Sequence, residues 1–231
     1  MNYSDFERAL SKPRIGRFLI ASNQDEERAL RLYRLNIELS KTLFGLLGVF
    51  EVTIRNHIDK HYQQKFRDKE WLKNQCGQKG MFSHPAFFKY GFDTRTKILT
   101  TIAKLGNRYT HDRLVAELSF GFWNYMFAPK QFLVGGQSLH KIYENRPKGV
   151  NQKQIFNDLD KIRSIRNRIA HHEPLCFDSE NKINIEKTEY TYQILIKHTD
   201  WLGFDHSKLY FELDNTEEIL TKIENEKSTK R

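Results

Sequence analysis

The chain has 231 residues, and 38 lysines and arginines against 29 aspartates and glutamates give it a formal net charge of +9. This excess of positive charge predicts a polyanionic partner, either nucleic acid or an anionic membrane surface, and the length suffices to bury a substantial core. The longest apolar run, Leu43 to Phe50, is far below the roughly 20 residues that span a bilayer, and Cys76 and Cys176 do not make a disulfide framework. A membrane-spanning protein and a disulfide-rich secreted scaffold are therefore disfavoured, and a cytoplasmic protein is expected.

The N-terminal region predicts a short helix, followed by a loop at Pro13 and Gly16. The next stretch, from Ser22 to Glu27, offers capping residues followed by two acids, which is typical of a helix start. We therefore expect a second helix to begin here.

Two apolar stripes at helical spacing follow this start. Gly45 and Gly48 lie within the run and each weaken a helix by about 1 kcal/mol relative to alanine. We therefore expect a long helix that is kinked or broken, or two close-packed helices. The first stripe contains Leu30, Tyr33, Ile37 and Phe44, with Leu32, Leu35 and Leu39 near them, and the second contains Leu43, Leu47, Phe50, Ile54, Ile58 and His61.

Glu51 lies within the second stripe, and Arg55 follows one turn later. A carboxylate on a buried face needs a partner, because a lone buried charge is costly. Arg55 is the local candidate and Arg166 the distant one, while the alternative is an exposed Glu51–Arg55 pair. Arg55-Asn56-His57 combines an arginine, an asparagine and a histidine, so it could form the second half of an active site. No helix stop follows it, however, and we therefore interpret it as a supporting element.

Residues 67–92 predict a loop-rich insertion, because glycines and a proline alternate there with large aromatic residues. These rings either anchor the loops to the core or stack on the bases of single-stranded nucleic acid, and we favour the first interpretation. Helices are predicted again from Asp93 and, after a cap at Thr110, towards Leu118. The segment Phe120 to Phe127 is apolar almost all round, which predicts core rather than a ligand-binding surface.

The richest chemical content lies in Ile165-Arg-Asn-Arg-Ile-Ala-His-His-Glu-Pro174, at the end of a predicted helix of about residues 152–172. Arg166 falls in the middle of that helix's apolar stripe. His171 lies about 140° around an ideal helix from Arg166, so the two side chains cannot share one face of a straight helix. Either the helix ends near Ala170, which Pro174 favours, or the site is shared. A short extended piece at residues 183–185 and two further helices are predicted after the motif.

His171, His172, Glu173 and Cys176 could alternatively be interpreted as a metal site. Their spacing matches neither the two histidines one turn apart of a metallohydrolase helix nor a paired-cysteine zinc pattern. We therefore expect no metal and no cofactor.

The motif carries a resemblance to a known family. Arg166-Asn167-x-x-x-His171 resembles the Arg-x(4 to 6)-His motif of the HEPN superfamily, and the stretch from Arg166 to His172 is similar to its form in the Abi-like (abortive infection, AbiD/AbiF-type) branch. With three further segments the resemblance covers most of the chain. These are Ser11 to Ile15, Ala29 to Asn36 running on to Phe50 to Asn56, and Glu117 to Trp123.

The resemblance implies an all-α fold, namely a HEPN-like helical bundle with a loop-rich insertion, and we expect a single domain over residues 1–231. It further implies a metal-independent endoribonuclease of the phage-defence or toxin type. Enzymes of this superfamily form their active site where two motifs face each other, so a homodimer is expected. Some members are held in check by a partner RNA, which makes an inhibitory or guide-like RNA a second possible partner.

RNA can be cut without a metal when a base removes the proton of the ribose 2′-OH and the oxygen attacks the adjacent phosphorus, leaving 2′,3′-cyclic phosphate and 5′-OH ends. His171 suits the proton transfer, and Arg166 offers planar donors to the phosphoryl oxygens. Asn167 would orient either residue, and His172 is a second acid–base candidate. The basic side chains expected to bind RNA are Arg168, Arg163 and Lys161.

Two other functions remain open on the sequence alone. The first is a noncatalytic RNA-binding module that uses the same arginines to hold a partner RNA. The second is a structural helical interaction protein, which predicts no steep dependence of RNA affinity on salt.

Overall fold

The computed structural model describes residues 2–89 and 92–228. This part of the chain is all-α, as predicted, apart from one short ladder and one isolated antiparallel bridge between Phe177 and Ile183. In the ladder, strand β1 (Phe88–Lys89) pairs antiparallel with β2 (Phe92–Asp93), and Phe88 lies opposite Asp93. Four short 3₁₀ turns lie at Met81–Ser83, Pro85–Phe87, Gly106–Arg108 and Leu139–Ile142. The helices are α1 (Tyr3–Leu10), α2 (Lys12–Ala21), α3 (Glu26–Phe66), α4 (Trp71–Asn74), α5 (Thr94–Leu105), α6 (His111–Glu117), α7 (Phe120–Tyr125), α8 (Pro129–Val134), α9 (Gln152–Ala170), α10 (Glu186–Trp201), α11 (His206–Leu209) and α12 (Thr216–Ser228), and the strands are β1 (Phe88–Lys89) and β2 (Phe92–Asp93).

The described residues form two compact units. The first unit contains the described residues up to Gly48, Ser164–Ile196 and the described residues from His206 onward. The second unit contains the described residues of Val49–Arg163 together with Lys197–Asp205. The sequence-based expectation of one domain stays a prediction.

The predicted loop at Pro13 and Gly16 is wrong, because both residues lie inside α2. Pro13 stands in the first turn of that helix, where a backbone N–H has no helical partner to lose and where the fixed φ of proline suits the helix. Gly16 is accommodated in the helix interior.

The glycines do not break α3, which runs unbroken from Glu26 to Phe66. Asp25 supplies its cap, since its side chain accepts a hydrogen bond from the backbone N–H of Arg28 at 3.0 Å. The helix survives Gly45 and Gly48 because buried side chains on both sides of them, among them Leu43, Leu46, Leu47 and Phe50, outweigh the propensity cost. The first predicted stripe is partly wrong, since Ile37 and Phe44 are exposed while Leu32 and Leu39 are buried.

The insertion is irregular, as predicted, and residues 90 and 91 of it lie outside the described residues. Its rings anchor it within the second unit: Trp71 stacks on Tyr62 at 4.7 Å, and Phe82 lies 5.8 Å from Trp71 and 5.2 Å from Phe87. These four rings are fully buried, so the anchoring interpretation is confirmed for them.

The predicted caps downstream of the insertion are confirmed. Asp93 accepts from the N–H of Arg95 at 2.9 Å and begins α5, and Thr110 accepts from the N–H of Arg113 at 3.2 Å and begins α6. The Phe120 to Phe127 segment also contributes buried residues, as expected, among them Phe122, Trp123 and Phe127.

Candidate functional site

The motif helix α9 ends at Ala170, which confirms the predicted early stop. The stop is a Schellman motif: the N–H of His172 donates to Ile169 O at 2.9 Å, and the N–H of Glu173 donates to Arg168 O at 2.8 Å. His172 occupies the left-handed position with φ 57°, where glycine is the usual residue. A non-glycine residue held there stores backbone strain, and such strain is concentrated at functional sites.

Two arginines hold this turn, one from α2 and one from the motif helix α9 itself. The guanidinium of Arg14, from α2, donates to the carbonyl of His172 at 2.5 Å. The guanidinium of Arg168 lies 3.4 Å from the Glu173 carboxylate and also donates to the carbonyl of Pro174. Arg168 therefore clamps the end of its own helix in the free chain, and its predicted contact with RNA stays a prediction.

The loop after the motif is fixed by a residue that sequence reasoning had left without a role. Asn36 of α3 is buried, and its side-chain oxygen accepts a hydrogen bond from the N–H of Leu175 at 2.7 Å. The carbonyl of Leu175 accepts from the hydroxyl of Thr188 at 2.8 Å. Both backbone groups of Leu175 are thus satisfied, and the chain three residues past His172 is held against α3 and α10.

The predicted catalytic residues differ in exposure. His171 and His172 are exposed, whereas Arg166 and Asn167 are half-buried on the last turns of α9. The imidazoles can therefore reach an external molecule. The partly buried guanidinium of Arg166 has less conformational freedom, and its charge interacts with other charges more strongly than it would in bulk water. All four residues belong to the first unit.

The other two predicted RNA-binding residues lie in the second unit and contact acids on their own helix. Arg163 forms an i,i+3 pair with Asp160 at 2.6 Å, and the ammonium of Lys161 lies 3.5 Å from Asp158. Arg163 and Lys161 both keep more than two fifths of their side-chain surface exposed. Each can therefore still meet a polyanion from solvent.

The predicted supporting residues Glu51 and Arg55 are half-buried on α3 in the second unit. Arg55 donates to the carbonyl of Ala116 at 3.4 Å. In the segment Arg55-Asn56-His57, the Nδ1 of His57 lies 2.8 Å from the Thr53 carbonyl, and the His57 ring packs edge-on against Phe204 with 5.4 Å between the ring centres. These two contacts hold the His57 ring within the second unit, and the role of residues 55–57 as a supporting element stays a prediction.

A basic cluster, not anticipated from the sequence, surrounds one hydroxyl in the second unit. The Ser138 cluster comprises His61, Lys65, Ser138, His140 and Lys141. The Ser138 hydroxyl lies 3.0 Å from the Nε2 of His61 and accepts from the Lys65 ammonium at 3.3 Å. Burial, followed by the nearby charges of Lys65, Lys141 and His140, lowers the pKa of His61 to about 4. The cluster is therefore a concentration of positive charge that an anion would relieve.

A buried polar relay lies elsewhere in the second unit. The fully buried imidazole of His198 lies 3.0 Å from the Tyr143 hydroxyl and 3.3 Å from the Asp158 carboxylate. Burial lowers the pKa of His198, so the ring is neutral. Its Nε2–H donates a hydrogen bond to Asp158, and its Nδ1 accepts a hydrogen bond from the Tyr143 hydroxyl. Every member of the relay is satisfied internally, which marks it as a structural network.

The two free cysteines, Cys76 and Cys176, are both buried. Burial raises the pKa of Cys76 to about 11 and that of Cys176 to about 12, so both free cysteines stay protonated at neutral pH. Across residues 2–89 and 92–228, no group of three or more His, Cys, Asp or Glu side chains is arranged to hold a metal ion. In the same ranges, no helix has both the length and the hydropathy to cross a bilayer.

A family model matches most of the chain. No curated protein matches the chain, and no solved structure does. A family model described as Abi-like protein matches residues 2–176, which is well over half of the 231 residues and includes the whole motif from Arg166 to Glu173. The chain therefore belongs to the Abi-like family, whose name associates it with abortive infection, a form of phage defence.

Proposed function

We propose that the protein is a metal-independent endoribonuclease of the HEPN type, acting in phage defence or as a toxin and assembled as a homodimer. One observation carries the proposal: the strained, doubly clamped end of α9 presents two exposed imidazoles, with Arg166 and Asn167 half-buried on the preceding turns. An acid–base pair and a guanidinium are sufficient for phosphodiester transfer within RNA.

The reaction begins when His171 removes the proton from a ribose 2′-OH. The 2′-oxygen forms a bond to the adjacent phosphorus, and the bond from phosphorus to the 5′-oxygen of the next nucleotide breaks. His172, or an imidazole of the second copy, gives a proton to that leaving oxygen. The products are a 2′,3′-cyclic phosphate and a 5′-OH end, and DNA is not cut because it lacks the 2′-OH.

The guanidinium of Arg166 stabilises the negative charge that builds on the phosphoryl oxygens, and Asn167 orients the reacting groups by hydrogen bonding. The arrangement supports this division of labour, because a half-buried guanidinium is more rigid than an exposed one. Arg14 has a positioning role through the His172 carbonyl, which it holds at 2.5 Å.

A homodimer brings two copies of the motif together, and an exposed apolar face of α3 supports it. Ile37 and Phe44, seven residues apart on one side of the helix, are 46% and 54% exposed. Gly45 and Gly48 beside them leave open space where a side chain would stand. A face of large apolar residues and glycines allows close approach of a second helix. This face and the motif both belong to the first unit.

The test is cleavage of bulk RNA by the purified full chain in the presence of EDTA. The wild type is expected to cut, and His171→Ala and Arg166→Ala are each expected to lose at least about 100-fold in rate, the usual contribution of acid–base and oxyanion-stabilising groups. Because His171 is exposed, its replacement should leave the unfolding midpoint nearly unchanged. Full activity of both variants would refute the mechanism.

A noncatalytic RNA-binding module is the second candidate. The Ser138 cluster favours it, because the cluster offers positive charge to RNA in the second unit, whereas the cleavage motif belongs to the first. The same assay separates the two functions. Tight RNA binding without cleavage by the wild type would support the binding module and exclude the nuclease.

A further inference from the structure

A large pocket opens in the second unit, with a volume of about 980 Å³. That volume is at the upper end of the range found for small-molecule sites. Its walls come from the end of the insertion, from residues between Ser119 and Gln131, and from α9. The Phe120 to Phe127 segment was expected to be core alone, yet one side of it forms part of this wall.

Aromatic rings make up much of the accessible wall. Phe88 of β1 is 52% exposed, and Tyr125 and Phe156 are half-buried. Partly exposed rings around a concave surface offer flat apolar faces, and any of the nucleobases can stack on such faces.

One polar group in the wall lacks a partner. Asn124 is 3% exposed, and its side-chain oxygen is buried and accepts no hydrogen bond from the described residues. The neighbouring amide is satisfied, since Gln131 donates to the Tyr125 hydroxyl at 2.7 Å and to the carbonyl of Ala86. Because this oxygen is out of contact with solvent, its missing hydrogen bond is a cost within the fold and not a contact that a ligand in the pocket can reach.

The charge of the wall suits an anion. Arg163 and Lys130 contribute two positive charges and Asp160 contributes one negative charge, which leaves the wall with a net positive charge. Arg163 contacts Asp160 at 2.6 Å, with 41% of its own side chain exposed. A phosphate beside it can share the guanidinium, because the planar fork presents several donors.

We propose that this pocket binds one nucleotide of single-stranded RNA. The base stacks on Phe88 and Phe156, and its phosphate is neutralised by Arg163 and Lys130. The proposal rests on the proposed function only in taking RNA as the partner. It assigns a recognition pocket in the second unit, whereas the cleavage motif belongs to the first.

The test measures the affinity of the full chain for fluorescent single-stranded oligonucleotides of adenine, cytosine or uracil, by anisotropy. The background is His171→Ala, so that the RNA stays intact. Phe88→Ala and Phe156→Ala are each expected to weaken binding by roughly 10-fold, the scale measured for loss of one base–aromatic stack. Phe211→Ala is the matched control, because this ring is 73% exposed in the first unit and lies outside the pocket.

The outcomes separate this proposal from the proposed function. Unchanged RNA affinity of both Phe88→Ala and Phe156→Ala would overturn the pocket, even if the wild type cleaves RNA. Weaker binding by these variants supports the pocket, even if the wild type leaves RNA uncut. Misfolding is not an explanation for a loss in Phe88→Ala, since more than half of that side chain already lies in solvent.

Discussion

Replacing Asn36 with leucine should destabilise the protein through a single lost hydrogen bond. Asn36 is 4% exposed, and its side-chain oxygen accepts from the N–H of Leu175 at 2.7 Å. Leucine shares the branching of asparagine at Cγ but is larger, so Asn36→Leu removes the acceptor without opening a cavity and adds side-chain volume at a buried site. The N–H of Leu175, a residue that is 1% exposed, is then left without a partner.

The expected magnitude follows from these two facts. An unsatisfied buried N–H costs about 1–3 kcal/mol, and the better helix propensity of leucine in α3 returns about 0.5 kcal/mol. The free energy of unfolding should therefore fall by at least about 1.5 kcal/mol, because overpacking by the larger leucine side chain adds to the loss. For a chain of this size, that corresponds to a fall in the unfolding midpoint of roughly 3–6 °C.

The assay is chemical and thermal unfolding followed by circular dichroism, together with hydrogen exchange at the amide of Leu175. Leu213→Ala is the control, because this apolar residue belongs to the same unit and is 48% exposed, so its replacement should change stability by no more than about 0.5 kcal/mol. Equal stability of the two variants, or unchanged protection of the Leu175 amide, would refute the assigned role of Asn36.

Two further predictions concern the Ser138 cluster. Removing two cations with Lys65→Ala and Lys141→Ala together should reduce the slope of log affinity for single-stranded RNA against log salt by about 1.4, at about 0.7 per phosphate contact. Lys104→Ala is the control, because this lysine is paired with Glu117 at 3.2 Å, and an equal change there would contradict the prediction. Burial, and then the charges of Lys65, Lys141 and His140, lower the pKa of His61 from the ordinary histidine value of 6.5 to about 4 in the folded chain. Its contribution to stability is therefore complete above pH 6.5 and is lost as the pH falls towards 4. His61→Gln should flatten the acid limb of a stability-against-pH curve over that window, and an unchanged limb would show that other groups dominate it.

Local chemistry made much of the fold predictable. The caps at Asp93 and Thr110 act on backbone groups two or three residues away, and the stop of α9 depends on Pro174, a few residues after the last turn. Such interactions are visible in the sequence because the partners are close along it. The failure at Gly45 has the opposite origin, since packing by distant residues overrode a local preference. At Pro13 the local signal itself was misinterpreted, because proline suits the first turn of a helix.

The sequence by itself determined the all-α class, the position and content of the motif, and the early end of its helix, because helical period, capping and proline sterics act over a few residues. Only the tertiary structure decided which groups hold the motif. Arg14 reaches His172 across 158 residues of sequence, and Asn36 reaches Leu175 across 139. It also decided which apolar residues stay exposed and that part of an apolar segment lines a pocket. These outcomes depend on which surfaces meet after folding, and side-chain spacing along one helix does not contain that information.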